Sequence, residues 1–406
     1  MAAPAHEPTA EDYLKEEMEV AQQLVKDFPS EASALASLGN AYMGRGNSAE
    51  AVKCWQRCLE LNPKYAPAYD RLGMNALKKA EYEEAIRLWH KAVEIDPAMG
   101  GAHNGLGRAL LYLGKPQEAA VELEQAVRLS PPASLQYFLL GQAYLQLEDY
   151  AKAKTNYEKA AKLQPDDSRA YYGLFAACDK LGENDKAKEY QEKFRKLKAG
   201  ESVAFYRELN RYDDLVSLRQ RVVLAHLGAG QMYRQSGGLA KAEEHWRRAA
   251  ALSPKDTVVL GELAKLYEST NREQDALEVR EKLRAIEPEN TINLLNIGIG
   301  NARLRHFEAA EAAFRKVIQT APGRCDGYRA LAGICLKMGQ RLDEARSLAE
   351  TAARLEPSTA NFRLLSEACD KNGDRQAALS AMERAIALEP GNQQYRRIYE
   401  VLKQGK

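Results

Sequence analysis

The chain repeats itself with one fixed period. Leu38-Gly39, Leu72-Gly73, Leu106-Gly107 and Leu140-Gly141 return at a step of 34, and Pro63, Pro97, Pro131 and Pro165 keep the same spacing. Four registers without slippage mean a stack of one supersecondary unit. A unit of that size cannot bury its apolar face alone, so each copy must use its neighbours as its core. This excludes a fold organised around one central core.

The positions between those markers say what the unit is. Ala51, Ala85, Ala119 and Ala153 each follow the repeat's glycine at the same distance, and bulky Trp55, Trp89, Leu123 and Tyr157 come one helical turn later. A further turn on come Cys58, Ala92, Ala126 and Ala160. Small residues at repeat positions 8, 20 and 27 let two helices cross closely. The bulky side chain at position 24 and the leucine at 7 fill the remaining space, and their burial is worth a few kcal/mol each. Proline at position 32 ends the second helix and biases the residue before it away from helical geometry. The pattern resembles the tetratricopeptide-repeat (TPR) family, whose unit is a helix A–helix B hairpin with Leu-Gly in A and Ala, aromatic, Ala and Pro through B. The resemblance implies an all-α fold, a right-handed α-α superhelix of about ten helix-turn-helix repeats with terminal capping helices.

The second half carries the same pattern, more eroded. Gly230, Tyr233, Ala242, Trp246, Ala249 and Pro254 mark one repeat; Leu263, Ala264, Tyr267, Ala276 and Pro288 the next, with Arg280 where the aromatic belongs. Ile297, Gly298, Ala310, Phe314 and Pro322 mark a third, Leu331 to Pro357 a fourth with one inserted residue, and Leu365 to Pro390 a last one, shortened by one. The expected organisation is an N-terminal capping helix at 11–31, a five-repeat block at 32–200, an inserted linker at 201–222, a second five-repeat block at 223–391 and a C-terminal capping helix at 392–406. Leu215, Leu218, Val222, Ala225, Ala229 and Met232 follow three-four spacing. They predict one long helix over about 212–235, preceded by a short one around 203–209. An eroded eleventh repeat is the alternative.

Composition narrows function. The net charge is +1, which argues against a nucleic-acid partner. No run of apolar residues is long enough to insert in a membrane. Six cysteines do not make a disulfide framework, so a cytoplasmic location is expected, or an exported one if a leader has been removed. The six histidines are scattered, and no spacing suits a metal. Gly228-Ala-Gly230 and Gly298-Ile-Gly300 follow no strand, so they are helix-crossing positions, not a dinucleotide fingerprint. No catalytic residue, metal or cofactor is expected, and ten units plus caps use up the chain.

In the family resembled, helix A faces line a concave groove. Carrying those positions over selects Asn40, Arg71, Asn104, Arg108, Tyr112, Phe138, Gln142, Arg169 and Tyr172 in the first block. In the second block they select Ile292, Leu295, Asn296 and Ile299. Asn and Gln can bond both edges of an extended peptide, Arg can hold a carboxylate, and the aromatics offer anchor pockets. The Ile292, Leu295 and Ile299 stripe suits an amphipathic helix or the chain's own inserted helix. Ala36 and Gly101 stand where the chaperone-tail clamp of the family has lysines, so that ligand is not expected. The expected function is a non-enzymatic scaffold or adaptor that binds peptide or helical segments of partner proteins. The alternative is a structural protein that self-associates through convex faces or ends; oligomeric state is left open.

Overall fold

Small residues and prolines set where each helix crosses its neighbour and where it stops. The computed structural model describes residues 8–201 and 205–404, side chains of 200–214 excepted; among the described residues there are 22 helices and no strand. The chain divides into two compact units, Met1–Ala225 and His226–Lys406.

Unit 1 starts with the capping helix α1 (Ala10–Asp27). Five hairpins follow: α2 (Ala32–Gly44) with α3 (Ser48–Leu61), α4 (Ala66–Lys78) with α5 (Tyr82–Ile95), α6 (Gly100–Tyr112) with α7 (Pro116–Leu129), α8 (Ser134–Gln146) with α9 (Tyr150–Leu163), and α10 (Ser168–Lys180) with α11 (Asn184–Glu201). The long α12 (Phe205–Gln235) gives its first part to unit 1 and its last part to unit 2. No proline interrupts this helix, and its two glycines, Gly228 and Gly230, lie in the part that belongs to unit 2. The helix expected over 212–235 lies within α12. Of the shorter one expected at 203–209, residues 203 and 204 lie outside the described residues and the rest continues in α12.

In unit 2 the end of α12 pairs with α13 (Leu239–Leu252). Four hairpins follow: α14 (Thr257–Ser269) with α15 (Glu273–Ile286), α16 (Thr291–Arg303) with α17 (Phe307–Thr320), α18 (Cys325–Met338) with α19 (Leu342–Leu355), and α20 (Thr359–Lys371) with α21 (Arg375–Leu388). The helix α22 (Gln393–Gln404) closes it, Leu402 packing with Phe362, Met382 and Ala385.

Five hairpins are held by an aromatic ring from helix B lying against a glycine of helix A. Trp55 faces Gly39, Trp89 faces Gly73 and Gly105, Tyr157 faces Gly141 and Gly173, Trp246 faces Gly230, and Phe314 faces Gly298. A Cβ at any of these glycines would lie under 3 Å from the ring. Arg280 takes the ring's place in one repeat: it is 7% exposed, and its guanidinium donates to Glu268 at 2.8 and 3.1 Å. Helix A of one repeat also touches helix A of the next, α4 on α6, α6 on α8 and α8 on α10 in unit 1, and α16 on α18 and α18 on α20 in unit 2. Closer approach on the A side makes it the inner, concave layer of each unit.

The A–B turn carries the same period in its backbone. Gly46, Ala80, Gly114, Glu148 and Gly182 have positive φ at steps of 34, and so do Gly237, Asn271, Arg305, Gly339 and Gly373. The step from Gly182 to Gly237 is 55 instead of 34, and the difference measures the insertion directly.

The first part of α12 returns to the start of unit 1. Arg221 pairs with Glu17 of α1, and its guanidinium also approaches the Asn40 carbonyl of α2 at 3.5 Å. The guanidinium rests on bare backbone, because a Cβ at Gly44 would collide with it. Burial holds the Glu17 carboxyl above its ordinary range, against the pull of Arg221.

Both the turn and the ion pair can be probed by single changes. Ala80 is held at φ +60°, a left-handed conformation that costs a residue with a Cβ about 1 kcal/mol relative to glycine. Ala80→Gly is therefore expected to stabilise unit 1 by about 1 kcal/mol in chemical denaturation, and an unchanged midpoint would refute the strain. Arg221→Ala leaves Glu17 buried without its counter-ion and is expected to cost about 2 kcal/mol at pH 8. The folded-state pKa of Glu17 is raised, so the folded state takes up the proton first and the cost shrinks as pH falls through that raised pKa toward 4.5. Denaturation at pH 8 and pH 5 checks this; equal costs at both would mean that Glu17 is not the cause.

Candidate functional site on the inner face

Repeat position 9 falls on the same face of every helix A. In unit 1 that position holds Asn40, Met74, Arg108 and Gln142, on α2, α4, α6 and α8 at steps of 34. Arg71 and Lys78 flank it on α4, and Asn104 lies one turn before Arg108 on α6. None of the side chains of Asn40, Arg71, Lys78, Asn104 and Gln142 meets a hydrogen-bond or ion-pair partner among the described residues, and Arg108 meets only the Tyr112 ring, 5.9 Å away. The unit thus presents a row of unengaged donors, three of them cationic.

The aromatic residues divide into exposed rings and core. Tyr112 is 55% exposed and stacks on Tyr82 at 5.0 Å, a platform open to solvent. Tyr172 is equally exposed and leans on Phe175 and Phe194. Phe138 differs from the expectation of an open pocket: it packs into the core around Leu139, Leu140 and Tyr157, with its ring 5.8 Å from Tyr157. Arg169 lies over the Phe138 ring and holds Asp167 with both prongs, at 2.9 and 2.8 Å, so its charge is already met.

Unit 2 has a different inner face. Its cations are engaged: Arg234 and Lys265 both reach Glu262 at 2.9 Å, Arg329 reaches Asp326, and Lys371 donates to the Leu336 carbonyl. Neighbouring repeats are also tied by Arg272 to Glu243, Arg303 to Glu273 and Arg341 to Glu311. The Arg341 and Arg315 guanidiniums hold the Glu311 carboxyl down at about 2. Ile292 and Ile299 are 61% and 37% exposed, whereas Leu295 is partly packed into the core of α16–α19. Asn296 beside it has no side-chain partner among the described residues. Arg221 of α12 contacts Glu17 and the Asn40 carbonyl at the start of unit 1, and Leu224 and Ala225 line a cavity with α1, α2 and α4 there.

Titratable groups elsewhere serve structure. His226 and His245 share a 2.8 Å contact between their Nδ1 atoms, and burial, then the His226 charge, lowers the His245 pKa to about 4. His103 is braced by Glu122 at 2.6 Å and the Pro97 carbonyl at 3.1 Å. Burial pushes the Cys58 thiol up to about 11. No cluster of His, Cys, Asp and Glu among the described residues could hold a metal ion, and no helix among them is long and apolar enough to cross a membrane.

The sequence could not show a cavity of about 460 Å³ at the first-repeat end of this face, walled by α1, α2, α4, Trp55 of α3 and Arg221, Leu224 and Ala225 of α12. Asn75, 8% exposed, and Arg221 line it, and neither stands out by spacing, since Arg221 is 204 residues from its partner Glu17.

Comparison with known proteins places this geometry. Models described as tetratricopeptide repeat match residues 32–65, 71–134 and 137–167. A human protein, Protein O-mannosyl-transferase TMTC1, is 24% identical over 163 residues, which is 40% of this chain and 18% of that protein. Among solved structures, MamA is 24% identical with a TM-score of 0.38, over 41% of this chain and 96% of its own. YrrB, described as a TPR protein with an unusual peptide-binding site, is 20% identical with a TM-score of 0.35, over 52% of this chain and 97% of its own. Yeast Tom70 is 16% identical with a TM-score of 0.38, over 92% of this chain and 96% of its own. With three repeat models matched in succession on one regular hairpin period, the chain is a tetratricopeptide-repeat protein.

Proposed function

We propose that the chain is a non-enzymatic protein-interaction scaffold, and that unit 1 grips extended acidic segments of partner proteins along its helix A row. One observation carries this reading. Arg71, Lys78 and Arg108, with Asn40, Asn104 and Gln142, lie on successive A helices with no side-chain hydrogen-bond or ion-pair partner among the described residues, whereas the corresponding cations of unit 2 are already paired. Amides at regular spacing suit a peptide backbone, which offers a donor and an acceptor at every residue. Unpaired guanidiniums supply the charge-assisted bonds that a carboxylate completes, and Tyr112 and Tyr172 supply exposed rings of the kind that anchor interfaces. The exposed Ile292 and Ile299 support a second, apolar contact on unit 2, suited to one face of an amphipathic helix.

Charge reversal tests the first contact. The double change Arg71→Glu and Arg108→Glu should weaken binding of a fluorescent, extended Glu/Ser peptide by at least about tenfold, or 1.4 kcal/mol, in anisotropy titrations. Wild-type affinity should fall as salt rises, because the contacts are exposed. Equal affinity of wild type and double variant would show that the peptide does not use this face.

A further inference from the structure

Helix A position 4 meets helix B position 23 across the hairpin, and the residues that meet there differ between repeats. In the third repeat they are His103 and Glu122, 2.6 Å apart, and the other His103 ring nitrogen faces the Pro97 carbonyl at 3.1 Å. In the fifth they are Tyr171 and Tyr190, with ring centres 6.3 Å apart. In the first repeat of unit 2 they are His226 and His245, with Nδ1 atoms 2.8 Å apart and ring centres 5.0 Å apart.

The two histidine contacts answer a proton in opposite ways. Both nitrogens of His103 face acceptors, a carboxylate and a carbonyl, so an imidazolium that donates from both fits there without rearrangement. Two facing Nδ1 atoms are different. Their hydrogen bond needs a proton on one and a lone pair on the other, and a proton on both sets two donors against each other. The surroundings of His245 offer no relief. His226 is buried, the Tyr233 ring stacks on His245 at 5.3 Å, and the charged groups that bear on His245 are His226 and Lys241. Lys241 lies over the same Tyr233 ring at 4.8 Å, so a cation already stands on this side. Burial, then His226 and Lys241, holds the His245 imidazole down at about 4.

We propose that the His226–His245 contact is an acid-sensitive clasp: proton uptake on the second facing nitrogen opens the α12–α13 hairpin at the start of unit 2, while the His103–Glu122 contact keeps the third repeat of unit 1 closed. In the opened hairpin His245 takes its proton near 6.5, and in the closed one only near 4. The hairpin is therefore at full stability above about pH 6.5 and loses it as pH falls from there toward 4. More than the two imidazoles is at stake. Trp246 follows His245 directly, lies on Gly230 and donates to the Leu227 carbonyl at 3.2 Å, so opening releases the ring that seats α13 on α12.

Hydrogen exchange read by mass spectrometry on the full chain tests the clasp, with protection corrected for the pH dependence of an unstructured amide. Between pH 7 and pH 5, protection of α13 (Leu239–Leu252) should fall at least about tenfold, and that of the α6–α7 hairpin should hold. His245→Leu places at position 23 the residue type that Leu88 supplies in the second repeat, and it should keep the pH 7 protection and abolish the fall. His245→Glu recreates the pairing of the third repeat and should leave α13 at least as protected at pH 5 as at pH 7. Should the Glu variant not fold, the Leu variant still decides. Equal protection of wild-type α13 at both pH values would overturn the clasp, and so would a fall of the same size in His245→Leu. A fall shared equally by the α6–α7 hairpin would assign the acid effect to the chain as a whole and overturn it as well.

Discussion

The contact on which the rest of the structure depends is a helix B ring lying on a helix A glycine. Trp55 on Gly39, Trp89 on Gly73, Tyr157 on Gly141, Trp246 on Gly230 and Phe314 on Gly298 are one interaction used repeatedly. It sets how closely A and B cross, and with the next repeat's small residues (Gly105 under Trp89, Gly173 under Tyr157) it also sets how repeats stack. Burying a ring of that size is worth a few kcal/mol, and losing it leaves a cavity in addition. Because each ring belongs to two repeats, the units have no core apart from these nearest-neighbour seams. The inner face is what remains after that packing has been satisfied, and so its residues are free to differ between repeats.

That division explains what the sequence made legible. The period is a requirement of the ring-on-glycine contact and of the left-handed turn that follows helix A, so it survives wherever the hairpin does. The ten hairpins and the capping helices are readable from it because each is written in local residues. It even survives substitutions that erase the motif: Arg280 stands where an aromatic belongs, and Glu268 of the same hairpin meets its charge so that the guanidinium can be buried. Ala80 and Glu148 hold the left-handed turn without glycine for the same reason, the surrounding hairpin imposing the conformation.

The inner face was legible only in part. Register alone put Asn40, Arg108 and Gln142 on one row, since position 9 is a geometric fact of the period. It could not separate an available arginine from an engaged one. Arg108 and Arg169 look alike in sequence, yet Arg169 is held in a fork by Asp167 and lies over Phe138, which is itself half committed to the core. The cavity was illegible for a further reason. Its wall needs Arg221, which reaches Glu17 only because α12 returns to the first repeat, and a short period carries no information about a contact 204 residues apart.

Position 5 of helix A shows how a repeat of this kind acquires chemistry at little structural cost. The indole N–H of the ring at position 24 emerges beside it. In the second repeat position 5 is Asp70, whose carboxylate takes the N–H, and the indole is silent. In the first repeat of unit 2 it is Leu227, whose carbonyl takes the Trp246 N–H at 3.2 Å, and again nothing is left over. In the first repeat of the chain it is Ala36, which offers no side-chain acceptor, and the donor remains unsatisfied. The ring-on-glycine contact is the same in all three, so the residue at this one position changes how the indole is paired without disturbing the fold.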